Sequence, residues 1–202
     1  MAFRQPSGAP ASFTDLSASV GSRIRDLRSR RGISLSALAA ATQLGKGTLS
    51  ELERGRRNPT LDTLFAVATA LSVPLGDLLV AEPADPAEGQ LTVSPARGQN
   101  VDAELIGRWT EPAEVVEVYR MTVRRGRRRS RSHAAGVVES ITVIAGEIAV
   151  GGASAPVHLI GGQSHTFAGD QDHVYEGLTD QSSTVLVMRY PVAADATREH
   201  AR

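Results

Sequence analysis

The chain has 202 residues, 41% of them hydrophobic and 22% charged, with no Cys and a formal net charge of zero. That length suits one or two domains, and the lack of Cys excludes a disulfide framework and agrees with a reducing cytoplasm. No segment approaches the roughly 18 consecutive apolar residues of a membrane span, and the first residues, MAFRQPSGAPASF, hold no apolar run long enough for a signal peptide.

Charge is unevenly placed along the chain. Residues 1–80 hold 10 Lys/Arg against 6 Asp/Glu, and residues 81–202 hold 12 against 16. A positive front half suits a phosphate-bearing partner without identifying one. Residues 1–17 are rich in Pro, Ser, Ala and Gly, the composition of a disordered tail. A helix is expected from about Ser19 to Arg31, with Val20, Ile24 and Leu27 inward and Gly32 ending it. Ser34 caps the next helix. Leu35, Leu38 and Ala39 share one of its faces, and Leu49 and Leu52 share a face of the helix after it. Between them, Thr42-Gln43-Leu44-Gly45 is too short for a loop and too poor in helix formers to be helical throughout. Two brief amphipathic helices joined by a tight turn with one buried apolar residue, here Leu44, make a helix-turn-helix. Its second helix leaves Lys46, Gly47, Thr48, Glu51 and Arg54 facing outward, small or hydrogen-bonding types that can approach base edges in a major groove. Arg56, Arg57 and Asn58 then suit phosphate contacts, which set position; the alternative is a solvated turn. Thr60 caps a fourth helix with Leu61, Leu64, Phe65, Ala68 and Leu71 as its inner stripe, and Pro74 opens a short fifth helix ending near Leu79.

Three features arrive in register: SRIRDLR, the SLSALA helix and TLSELERGRRNPTLDTL. Residues 20–80 thereby resemble the phage-repressor type (Xre-like) five-helix DNA-binding domain. The resemblance implies a double-stranded DNA partner; because a single short recognition helix reads too few base pairs, a homodimer at a near-palindromic operator is expected, with half-sites about 34–36 Å apart or a multiple of that. It also implies a bridge from Arg28 on the first helix to Glu53 on the recognition helix, against the plainer alternative of two solvated charges. Where the family commonly has Gly in the turn this chain has Gln43. A non-Gly residue in the left-handed region costs roughly 1–2 kcal/mol, so a slightly altered turn is expected, with Gly45 and Gly47 supplying slack.

Residues 81–90, AEPADPAEGQ, read as a linker between a domain at 18–80 and a second at 91–191. From Leu91 the pattern becomes short, β-branched and alternating: VDAELIGRW, EVVEVYRMTV, VVESITVIAG, EIAVG, PVHLIGG, SHTFAG and TVLVMRYP, with Gly-containing turns between. Such spacing predicts a sandwich or barrel of about eight strands. Residues 192–202 read as a frayed tail. The run Arg124 to Arg131 is expected at a turn between two strands, mostly solvated, with one or two cations lining a pocket.

Ser130 to Val150, with His133, Glu139 and Gly146, and Gly161 to Leu178, with His173, resemble the two cupin motifs. The resemblance implies a double-stranded β-helix (jelly-roll) barrel, so the whole chain is expected to be a two-domain α + β protein. It places His133, Glu139 and His173 at three metal-ligand positions and Arg131 where the family's first His would stand. Two His and one carboxylate suit a divalent transition metal. A guanidinium beside a dication is unfavourable, so Arg131 tips the expectation toward a metal-free pocket in which Arg131, His133, Glu139 and His173 hold a small anionic effector. His158 and His165 lack partners at motif spacing. The resulting expectation is a ligand-sensing transcriptional regulator and not an enzyme. A metal-dependent cupin oxygenase or isomerase fused to a DNA-binding domain is the alternative.

Overall fold

The computed structural model describes residues 13–80 and 95–192. The linker expected at 81–90 and most of the tail expected at 192–202 lie outside these residues. Five helices come first: α1 (Phe13–Arg30), α2 (Leu35–Thr42), α3 (Lys46–Glu53), α4 (Leu61–Ala70) and α5 (Gly76–Leu79). Helix α1 begins at Phe13, so the boundary expected between residues 17 and 18 falls inside a helix. The side-chain oxygens of Ser34 and Thr60 accept from Ala37 N and Thr63 N, each satisfying a donor that a helix start otherwise leaves open. The bundle core is Val20, Ile24, Leu38, Leu49, Leu52, Leu64 and Val67, each at most 2% exposed.

Eight strands follow: β1 (Ala96–Arg97), β2 (Val101–Thr110), β3 (Glu114–Ser130), β4 (Val138–Ala145), β5 (Glu147–Gly152), β6 (Val157–Ile160), β7 (Ser164–Ala168) and β8 (His173–Pro191). The long partners β3 and β8 belong to two layers at once. Their outer halves, Glu114–Arg124 against Gln181–Pro191, sit in a layer ordered β1-β2-β3-β8-β4-β7. Their inner halves, Gly126–Ser130 against His173–Gly177, continue into β5 and β6. The bend lies where Arg125 and Gly126 both face Gly177, a bulge that re-aims both strands. Gly177 allows it: a Cβ there would stand 2.2 Å from Arg124 O. Two antiparallel layers closed by strands that pass from one to the other are a jelly roll.

The arginine run is corrected by this geometry. Arg124 to Arg129 lie on β3 itself, not at a turn, and their side chains follow strand alternation. Arg128 is buried while Arg127 and Arg129 are exposed.

The two domains are docked. Glu117 on β3, fully buried, accepts from Gly76 N at 2.9 Å, Arg108 Nε at 3.2 Å and Tyr119 Oη at 2.5 Å. Arg108 also pairs with Asp77 of α5. Gly76 is required for this approach, because a Cβ there would stand 2.3 Å from Glu117 Oε1. The sequence expected Phe65 within the inner stripe of α4. It is instead half-buried and directed at the second domain, where its ring lies 4.6 Å from that of His133, and Val67 fills the bundle core.

Candidate functional site

The DNA-reading head is built by α2 and α3. Helix α2 ends at Gln43, with φ 58° and ψ 25°, whose N–H is bonded to Ala40 O. The left-handed residue is therefore Gln43 itself. Gly45 is extended (φ −62°, ψ 138°) and Gly47 lies within α3, so neither supplies the slack expected of it. Thr42 Oγ1 donates to Leu38 O at 2.8 Å and receives Leu44 N at 3.4 Å, which holds the turn closed. On α3, Leu49 and Leu52 face the core, leaving Lys46, Gly47, Glu51 and Arg54 exposed and Thr48 half-buried. Arg56, Arg57 and Asn58 are exposed beyond it. Glu51 lies 3.9 Å from Arg57, both more than half exposed, a pair that solvent leaves weak. Asn58 also accepts a hydrogen bond from Ser17, tying the loop to α1. Arg28 donates to Glu53 through Nε at 2.6 Å and Nη2 at 2.9 Å, and through Nη1 to Ile33 O at 2.9 Å. This fork, with side chains 16% and 8% exposed, joins α1, α3 and the α1–α2 loop.

The second site lies at the mouth of the barrel. Glu139 projects from β4, His173 opens β8, and His133 sits in the loop after β3, fixed by its N–H to Gly169 O at 2.9 Å. Glu139 Oε1 is 3.0 Å from His133 Nε2 and 3.3 Å from His173 Nε2, and all three residues are buried. These separations are short but poorly directed: Glu139 Oε1 and His173 Nε2 are buried without a hydrogen-bond partner among the described residues. Tyr175 donates to the other oxygen, Oε2, and His173 Nδ1 meets Gln171 O at 2.8 Å. With Nδ1–H donating to that carbonyl, Nε2 of a neutral ring carries a lone pair.

Burial alone would push the Glu139 carboxyl up, but His133 3.0 Å away, then His173 and the Tyr175 hydroxyl outweigh it and hold it below the usual carboxylate range. Burial lowers His173, against the pull of Glu139. Tyr175 is raised well above its ordinary value by burial, then by Glu139. An ionised carboxylate and a neutral imidazole are the protonation states a metal requires. The three donor atoms lie within 4.8 Å of one another. A cation about 2.0–2.2 Å from each donor separates neighbouring ligands by roughly 3.0–3.5 Å, and Glu139 Oε1 stands at such distances, 3.0 and 3.3 Å, from the two imidazoles, which suits a divalent metal. His133, Glu139 and His173 would hold it, and it would supply Lewis acidity there.

Arg131 does not join this set. It is exposed, at the rim of a cavity of about 450 Å³ between the domains, walled by Gln43, Leu44, Phe65 and Thr69 on one side and Arg128 to His133 on the other. Where the sequence expects Arg131 beside the triad, the residue is exposed and lines the interdomain cavity together with His133. His133 alone touches both the cavity and the triad. Asp62, Phe65 and Arg128 are site residues that sequence reasoning missed. Arg128 donates to Asp62 Oδ1 through Nε at 2.8 Å and Nη2 at 2.6 Å, with a side chain only 5% exposed. The signal available was strand alternation through the arginine run, which points one cation in three or four inward.

Comparison with known proteins agrees with this architecture. The helix-turn-helix family model HTH_3 matches residues 24–78. The HTH-type transcriptional regulator SutR of Escherichia coli (strain K12) is 29% identical over 160 residues, covering 79% of this chain and 87% of that protein. The HTH-type transcriptional regulator y4dJ of Sinorhizobium fredii is 42% identical over 59 residues, 29% of this chain and 77% of that protein. A crystal structure of an HTH_3 family transcriptional regulator from Vibrio cholerae superposes with a TM-score of 0.73 at 24% identity, over 90% of this chain and 100% of that one, and so shares the two-domain fold. A helix-turn-helix head with a half-buried Arg28–Glu53 fork, joined to a jelly roll, completes the assignment: the chain belongs to the Xre-like helix-turn-helix transcriptional regulators, its DNA-binding domain followed by a jelly roll of the cupin type of fold.

Proposed function

We propose that this regulator binds a near-palindromic operator as a homodimer and that a small anion, held between its two domains, sets its DNA affinity. The observation that carries the reading is the cavity of about 450 Å³ walled by both domains, whose lining includes the exposed Arg129 and Arg131, neither with an ion-pair partner among the described residues. Arg recognises carboxylate or phosphate as a rigid fork, and a cavity of this size suits a small molecule. Because one wall is the turn of the reading head, an occupant would favour one seating of the helices over another. Typical coupling is about 1–3 kcal/mol, a 5- to 150-fold change in operator affinity. Calorimetry of metal-stripped protein with small organic acids tests it. Wild type should bind, and Arg131→Ala should lose about tenfold or more; equal binding by the two would remove Arg131 from the site.

Base reading is assigned to Lys46, Thr48 and Glu51, with Gly47 allowing close approach and Arg54, Arg56, Arg57 and Asn58 on phosphates. Glu51→Ala should relax preference at one base step, by about 1–3 kcal/mol there. Uniform weakening on every sequence would contradict the assignment.

The convergence of His133, Glu139 and His173 favours a second reading, a metal-dependent cupin enzyme carrying a DNA-binding domain. Metal analysis with a turnover assay separates the two: stoichiometric metal with turnover establishes catalysis, while metal without turnover leaves the triad as part of the sensor.

A further inference from the structure

The mouth of the barrel is filled by the DNA-binding domain itself. Phe65 of α4 lies over the rings and side chains that lead to the triad: its ring is 4.6 Å from His133, tilted by 32°, and Arg128 Cζ stands 5.8 Å from its centroid. Asp62, one turn earlier on the same helix face, accepts both hydrogen bonds from Arg128. Beneath Phe65 only about 10 Å³ remains between Tyr119, Met121, Tyr175 and Leu186, room for roughly one water. Glu139 Oε1 and His173 Nε2 are buried, without a hydrogen-bond partner among the described residues, and neither residue lines that space.

Seen from the barrel, α4 offers an aromatic ring and, beside it, a carboxylate. The ring lies tilted against an imidazole, with a guanidinium over it; the carboxylate is bound by that same guanidinium. Arg is suited to this double task, since its plane stacks on aromatic faces while its N–H edge bonds carboxylate. We infer that Asp62 and Phe65 are an intramolecular stand-in for the effector, and that the effector is a small carboxylate bearing an aromatic or flat apolar group. It takes the place of Phe65 against His133, takes Arg128 from Asp62, and so unseats α4 from the barrel. Arg129 and Arg131 at the rim draw the anion in. This rests on the sensing function proposed above and gives it a ligand class and an internal competitor. Because α4 packs against α2 within the reading head, ligand binding and the docked arrangement of that head exclude each other.

The test uses full-length protein and three probes: 3-phenylpropionate, propionate and 3-phenylpropanol. Calorimetry should show 3-phenylpropionate binding wild type, and binding Phe65→Ala at least tenfold tighter, because the competitor is gone. Propionate should gain little from that substitution and 3-phenylpropanol should bind neither protein measurably. Asp62→Asn should tighten 3-phenylpropionate several-fold by releasing Arg128; Asp62 is 55% exposed, so this variant keeps the test if Phe65→Ala fails to fold. Saturating 3-phenylpropionate should also raise amide exchange across α4 in wild type. The inference falls if neither variant binds 3-phenylpropionate more tightly, or if propionate gains equally. Binding that depends on Arg131 but ignores the ring overturns this inference and leaves the anion-sensing function standing. Ring-dependent binding that ignores Arg131 sustains this inference and removes Arg131 from the site.

Discussion

Arg28 and Glu53 illustrate how much one pair of side chains can hold. Two charges at the edge of a helical bundle would normally be worth little, because solvent screens them and ordering them costs entropy. Here the guanidinium bonds both carboxylate oxygens and a loop carbonyl, with most of both side chains out of water. Removing either partner strands the other. Arg28→Ala and Glu53→Ala should each cost about 2–4 kcal/mol, and the double variant less than their sum. Thermal melts of the three proteins provide the measurement, and strict additivity would mean the pair is energetically idle. At the barrel mouth the same logic is left incomplete: Glu139 Oε1 and His173 Nε2 are buried without a hydrogen-bond partner among the described residues.

Among the elements, the turn between α2 and α3 carries local strain. Gln43 occupies the left-handed region, where an L-residue's Cβ crowds the carbonyl that follows it. Gln43→Gly should therefore stabilise the folded chain, by up to about 1 kcal/mol after the greater unfolded-state entropy of glycine is counted. A melt of that variant no higher than wild type would show that the Gln43 side chain, at the wall of the interdomain cavity, contributes contacts worth the strain. Helix α4 serves two cores at once. Leu64 and Val67 belong to the bundle, whereas Phe65 and Asp62 belong to the barrel mouth. The strands β3 and β8 do the equivalent in the second domain, each contributing one half to either layer.

At the scale of the molecule, the joint between domains is a buried polar network and not a loose tether. Glu117 sits at its centre, fully buried, facing Arg108, Asp77, Tyr119 and the Gly76 amide. Burial pushes its carboxyl above the ordinary range, against the hydrogen bond from Tyr119 and the charge of Arg108. Between the ordinary carboxylate value, about 4.3, and the raised one, the folded chain holds a proton that the unfolded chain has lost. Stability from this group is thus full below the unfolded value and declines as pH rises through the folded one. The melting temperature of wild type relative to Glu117→Gln should fall across that window. A difference independent of pH would mean that the network keeps Glu117 ionised throughout.

How much of this was legible beforehand follows from the range of the forces involved. Periodicity, caps and turn residues act within a few positions, so the five helices, the helix-turn-helix and the strand-rich second domain could be read from the chain, as could the segments carrying His133, Glu139 and His173. Net burial along a strand is also local, yet the bend in β3 depends on its pairing with Gly177 of β8, so the arginine run looked like a turn. The direction of Phe65 could not be read at all. An apolar residue on a helix face obeys the same spacing whether it meets its own bundle or another domain, and only docking decides between them. The place of Arg131 was lost for the same reason: motif position put it at a ligand's place, and the loop, held by His133 N to Gly169 O, turned it to the rim. Local sequence determined the elements and the reactive residue types. Tertiary packing alone decided which of them meet, because contacts across sequence distance depend on how surfaces fit, and no single stretch of chain encodes that.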